Sequence, residues 1–211
     1  MAQTPPQPRK PRGPYAKTRG RRQEIVGAAV EVFSSAGFHK GSLREVADRV
    51  GLSQAGLLHH FPSKERLLEA VLTWRDDESG ARMGAPFPEG VELLRGLVEL
   101  AEHNASTPEL VELHVVLSAE GTSTDHPLHD YFVLRYGAVY DMILTAIAHA
   151  EAHDQLEPDV DQRSAARTII ALMDGLQVQW LLDPDAVDMP AVLRMTLDAL
   201  LRSWGRPPLA P

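Results

Sequence analysis

Two pairs of histidines have spacings at which imidazoles could share a divalent metal: His126 with His129, flanked by Asp125 and Asp130, and His149 with His153, one helical turn apart. Neither pair has further ligands that can be identified, and a solvated acidic helix surface accounts for both, so no metal is expected. The chain has no G-x-G-x-x-G, no Walker-type loop, no G-x-S-x-G and no H-E-x-x-H with which to hold a cofactor phosphate or set up a nucleophile. Without cysteine it has no disulfides, no thiolate-held zinc, no Fe–S ligation and no thiol redox sensing. No cofactor and no enzymatic activity are expected, and a helical enzyme using scattered residues is the alternative of that class.

Charge says more. The net charge is −8 over 211 residues. Residues 1–75 carry 13 Lys and Arg against 6 Asp and Glu, or +7, whereas residues 76–211 carry 8 against 23, or −15. Lys64 is the last lysine. The gradient fits a basic module for an anionic polymer joined to an acidic body. The composition, 44% hydrophobic and 24% charged, is ordinary for a soluble globular protein. No stretch approaches the roughly 18 to 20 consecutive apolar residues of a membrane span, and the polar N-terminus lacks a signal-peptide core, so a cytoplasmic protein without a membrane partner is expected.

The elements that position these groups read as helices throughout, with no period-2 run to propose a strand. Residues 1–17 hold five prolines and the basic Arg9, Lys10, Arg12 and Lys17, which predicts a disordered arm, either solvated or laid on phosphates. A first helix carries Ile25, Ala29, Val32, Phe33 and Ala36 on one face and stops at Gly37. Ser42 and Glu45 open a second, over about 43–50, in an S-x-x-E capping box, and Gly51 ends it. Ser53 caps a third, with Leu52 and Leu57 as a hydrophobic staple, and Pro62 stops it. Ser63 starts a fourth with Leu67, Leu68, Val71 and Trp74 on its apolar side, and Gly80 to Gly90 reads as a loop. Thr107-Pro108-Glu109 marks another helix start, and later helices run over about 126–153, 162–183 and 189–204, punctuated by Pro158 and Pro184. The expected organisation is an arm over 1–17, a basic helical domain over 18–75 and an acidic helical domain over 76–211.

Two short helices joined by a glycine-containing turn in a basic segment match a helix-turn-helix, in which one helix braces and the next enters the major groove. Ser42-Leu43-Arg44-Glu45-Val46-Ala47, Gly51-Leu52-Ser53 and Leu57-Leu58-His59-His60-Phe61-Pro62-Ser63-Lys64-Glu65 resemble the TetR family signature, over about residues 20–75. The resemblance implies an all-α homodimer: a three-helix DNA-binding domain joined through a fourth helix to a ligand-binding and dimerisation domain. It implies a repressor on a palindromic operator of double-stranded DNA, released by a small molecule. An activator or broad DNA binder of the same fold is the alternative.

Carried onto this chain, the resemblance puts Ser42 and Arg44 near phosphates and Ser53, Gln54, Ala55 and Gly56 at the leading end of the recognition helix. Gln54 is the candidate base reader, because an amide can donate and accept together at an adenine edge, and Ala55 could meet a thymine methyl. His59 and His60 either contact phosphate or pack within the motif. Lys64 adds a cation at the start of the fourth helix. Arg19, Arg21 and Arg22 complete the DNA-contacting set with Leu58. Gly56 and Leu58 depart from the threonine and tyrosine the family often has, so those two contacts are missing.

In the acidic half, the helix over about 162–183 is apolar nearly all round. It carries Ile169, Leu172, Met173, Leu176 and Trp180 on one face, while the last helix carries Leu193, Leu197, Leu200, Leu201 and Trp204 in a stripe. Leu172, Leu176 and that stripe are expected to meet their symmetry mates in a four-helix interface. The run Asp174-Gly175-Leu176-Gln177-Val178-Gln179-Trp180 resembles a BetI-like subgroup. Trp74, Leu97, His103, His114, Phe132, Tyr136, Tyr140, Met173, Gln177 and Trp180 supply the apolar walls and orienting polar groups of a ligand pocket, or else simply core.

Overall fold

Three serine hydroxyls start three consecutive helices. Ser42 accepts from the Glu45 amide at 3.1 Å, Ser53 from Gly56 at 3.0 Å and Ser63 from Arg66 at 3.3 Å. Each satisfies one amide that the first turn leaves unpaired. They open α2 (Leu43–Arg49), α3 (Gln54–His60) and α4 (Lys64–Met83), preceded by α1 (Pro14–Lys40). The structure is a computed structural model that describes residues 14–84, 86–157 and 160–205, with only the backbone for 14–19 and 34–40. Arg9, Lys10, Arg12 and Pro158 therefore lie outside the described residues, as do the side chains of Lys17, Arg19 and Ala36.

Three boundaries differ from the sequence expectation. α1 begins at Pro14, which takes the end of the expected arm into the helix, and continues through Gly37 to Lys40. A lone glycine weakens a helix by about 1 kcal/mol without imposing the left-handed turn that ends one. For the same reason α4 passes through Gly80 and ends only at Gly84, where φ is +93°. Gly51, at φ +66°, does supply the turn between α2 and α3.

The acidic half continues as α5 (Val91–Ala105), α6 (Pro108–Glu120), α7 (His129–Ala152), α8 (Gln162–Leu182) and α9 (Met189–Ser203), and no strand occurs among the described residues. Pro108 takes the first position of α6, but the Thr107 hydroxyl donates back to the Asn104 carbonyl instead of capping forward. α7 is long and apolar enough to cross a membrane by length and composition, contrary to expectation. It nevertheless packs on α5 and α8 and carries Arg135 in an ion pair with α4.

Two apolar cores form. One joins α5, α7, α8 and α9 around Leu97, Ile143, Ile169 and Leu197. The other gathers Ile25, Phe33, Val46, Leu57, Phe61 and Leu68 of α1–α4, and Leu52 packs against it as the staple predicts. This second core does not stop at α4. Leu113 and Leu117 of α6, Leu128 just ahead of α7 and Phe132 of α7 complete it, and α1 packs extensively on α6.

Candidate nucleic-acid interface and effector cavity

Burial of Leu57 against the N-terminal core fixes the roll of α3 and turns Gln54, Ala55 and His59 outward. Leu58 and His60 are half-buried, and the two histidine rings meet edge-on at 5.8 Å. Ser42 and Ser53 spend an oxygen lone pair on capping, while Arg44, at the start of α2, is exposed with Asp48 3.9 Å away. A Cβ at Gly56 would lie 3.3 Å from the Ser53 Oγ and 3.6 Å from Leu52, so α3's first turn is closed tightly on its own cap. Lys64 reaches back over the Phe33 ring at 5.6 Å.

Two arginines expected on DNA have protein partners. Arg21 donates to the Val50 carbonyl at 2.7 Å and pairs with Glu24 at 2.6 Å. Arg22 donates to the His60 carbonyl and lies 4.1 Å above the Phe61 ring. Their acceptors are the carbonyls at the ends of α2 and α3, so they clamp α1 to the motif instead of standing free for phosphate.

A mixed-polarity cavity of about 610 Å³ lies between α4 and α7. Met83, Phe87, Leu97, Leu134, Val139 and Met173 form its apolar part, and Arg66, Glu69, Asp76, Asp77, Asp130 and Arg135 its polar part. Across one wall runs a tether: Asp76 of α4 accepts from the Tyr131 hydroxyl at 2.7 Å and from Arg135 Nε at 3.0 Å on both oxygens. Burial and the neighbouring Asp76 carboxylate push the Tyr131 hydroxyl well up, which keeps it protonated as a donor. Arg75, beside Asp76 at 3.8 Å, is pushed down to about 10 by burial.

Behind the cavity lies a smaller void of about 40 Å³, lined by His114, Tyr136, Met173, Asp174 and Gln177 among others. Tyr136 donates to Asp174 at 2.9 Å and its hydroxyl is pushed up to about 12 by burial and by that carboxylate. Burial raises the Asp174 carboxyl, against the lowering from the Tyr136 bond and Arg135. A carboxyl raised in the fold favours the fold most where it is protonated in both states, and that contribution is lost as pH rises through the folded value. Asparagine keeps an acceptor for Tyr136 and does not titrate. Asp174→Asn is thus expected to be more stable than the parent near neutral pH and to lose that advantage in mild acid. Thermal melts at the two pH values check it, and an equal advantage at both would remove burial as the cause.

Of the residues expected at a pocket, Leu97 and Met173 line the main cavity, and His114, Tyr136, Met173 and Gln177 the void. Five others lie elsewhere. Trp74 faces a separate cleft between α1 and α4 that also contains Arg22 and Phe61. His103 lines none of the described cavities. Tyr140 is half-buried against the C-terminal core beneath Arg167 at 4.2 Å, Trp180 is in that core and Phe132 in the N-terminal one. The sequence reading missed Asp76, Tyr131, Leu134 and Arg135. The signal available was a polar and apolar stripe at helical spacing on α7, through 131, 134, 135, 138, 139 and 142.

Four of the seven expected dimer residues are turned inward. Leu176, Leu193, Leu197 and Leu201 are buried in the chain's own core, and Leu172, Leu200 and Trp204 pack against it. The exposed apolar side chains of α8 and α9 are Val178, Leu182 and Met195. His149 and His153 stack at 3.9 Å with His149 against Glu89 at 3.0 Å, and His126 and His129 turn to Glu120 and the Gly121 carbonyl. Among the described residues no group of three or more such side chains could hold a metal ion.

An all-helical chain that presents a helix-turn-helix, and whose next helix walls a cavity in the adjoining body, is built as a transcriptional regulator. The model of bacterial regulatory proteins of the tetR family matches residues 25–71, and that of the BetI-type transcriptional repressor C-terminal domain matches residues 92–203. The chain belongs to the TetR family. It is 26% identical over 172 residues to the HTH-type transcriptional regulator UidR of Escherichia coli K12, covering 80% of this chain and 83% of that one. Among solved structures it resembles Salmonella enterica GusR (27% identity, 90% and 98% of the two chains, TM-score 0.67). It also resembles Thermus thermophilus FadR, a repressor in complex with lauroyl-CoA (25%, 90% and 98%, TM-score 0.60).

Proposed function

We propose that this chain works in the cytoplasm as a homodimeric repressor that holds a palindromic operator and leaves it when a small amphipathic molecule occupies the cavity between α4 and α7. The observation that carries this reading is the Asp76 tether, because it ties the helix that follows the DNA-reading motif to the cavity wall. A ligand body entering between α4 and α7 re-pairs or displaces that tether and shifts α4. α4's first turn follows directly on α3, so the shift changes the distance between two recognition helices that must fall about 34 to 36 Å apart. A coupling of about 1 to 3 kcal/mol is enough for a 5- to 150-fold release. Lauroyl-CoA in the FadR relative is an example of an amphipathic occupant of this fold. Val178, Leu182 and Met195 offer the apolar face through which two copies would pair.

The test is selection of bound fragments from a random DNA pool by the full chain at near-physiological salt. A palindrome is expected, with Gln54→Ala losing about 1 to 3 kcal/mol at one position of each half-site while sparing non-specific binding. Enrichment of no sequence would overturn the operator reading, and a uniform loss in Gln54→Ala would make that residue a phosphate contact.

A further inference from the structure

We propose that the void behind the α4–α7 cavity is the inner end of the effector site, and that it accepts a hydroxyl group carried on an apolar body. This rests on the reading of the cavity as an effector site. His114 of α6 and Gln177 of α8 are buried, at 2% and 6% exposure. His114 Nδ1 and Gln177 Oε1 have no hydrogen-bond partner among the described residues. Two such atoms on residues that line one void are unusual, because buried polar groups are nearly always paired. The void and the cavity share Arg135, Val139 and Met173 in their linings, so they adjoin, and the partition includes an unbranched methionine that can change rotamer.

The unpaired atoms define the group they take. Gln177 Oε1 can only accept, so its partner must be a donor. Burial and the nearby Arg135 and Arg75 hold the His114 imidazole well below its usual value, so the ring is neutral and Nδ1 either donates or accepts according to tautomer. A hydroxyl satisfies both at once, donating its one hydrogen to Gln177 Oε1 and accepting from His114 Nδ1–H in the tautomer that carries the proton there. A methyl ether cannot donate. A carboxylate cannot donate either, and on its way in it meets Glu69, Asp76, Asp77 and Asp130, which outnumber Arg66 and Arg135 in the cavity. At about 40 Å³ the void admits a hydroxyl, while the rest of the molecule lies in the larger space.

Three probes of one shape separate the possibilities: 4-butylphenol, its methyl ether and 4-butylbenzoate, titrated calorimetrically into the full chain. The phenol is expected to bind about tenfold tighter than the ether, and the benzoate more weakly than either. Gln177→Leu should bring the phenol down to the affinity of the ether and leave the ether unchanged, with thermal melting verifying the fold. Gln177→Met supplies the same test if that variant does not fold. Equal binding of phenol and ether, no binding of the phenol, or a preference that survives both substitutions would overturn the proposal. A preference that obeys these rules while the phenol leaves operator binding unchanged would keep the subsite and overturn the release mechanism.

Discussion

Asp76→Ala is expected to destabilise the protein by about 2 to 4 kcal/mol and to disconnect the cavity from DNA. The carboxylate accepts from Tyr131 and Arg135 and lies beside Arg75, whose side chain is only 8% exposed. Its removal leaves a buried cation facing a second one with no counter-charge, together with a phenol that has lost its acceptor. The loss stays below that of a fully buried pair because Asp76 is itself 31% exposed. Asp76→Asn retains an acceptor and should fall between parent and alanine variant. Denaturant unfolding gives the stability, and operator titration with and without effector gives the coupling. A variant within about 0.5 kcal/mol of the parent, still released normally, would mean that the tether is ornamental.

A second large effect is expected at Phe61→Ala, about 3 to 5 kcal/mol. The ring closes α3, is 1% exposed and lies under the Arg22 guanidinium, so truncation opens the N-terminal core and removes the surface that orients the clamp from α1. DNA binding should fail at every sequence, in contrast to the position-specific loss at Gln54. Chemical denaturation together with binding to non-specific DNA measures both parts. A destabilisation under about 1 kcal/mol would show that the site collapses around the gap.

Legibility followed the range of the interactions. The starts of α2, α3 and α4 could be read because each cap is a serine oxygen bonded to an amide three residues on, and Gly51 could be read because its backbone requires a positive φ. The cavity could not, because Asp76 and Arg135 are 59 residues apart and only the packing of α4 on the later helices brings them together. The Leu193, Leu197 and Leu201 stripe reads as a face for a symmetry mate. Helical spacing names the buried face of a helix but not what buries it, and here the chain's own core does, while Val178, Leu182 and Met195 look outward. Arg21 and Arg22 are a similar case. A cation near a DNA-reading motif is visible locally, whereas the carbonyls of Val50 and His60 that engage it lie 29 and 38 residues downstream.

The N-terminal core closes on Leu113, Leu117, Leu128 and Phe132 from the other half of the chain, and this limits how such a regulator can be recombined. A chimaera that grafted the DNA-reading head of this protein onto a foreign sensor at the loop after α4 would inherit an incomplete socket, with Ile25, Phe33 and Leu68 facing side chains shaped for another head. Transplants should succeed when Leu113, Leu117, Leu128 and Phe132 travel with the head, and such heads and sensors should diversify together, not as interchangeable cassettes.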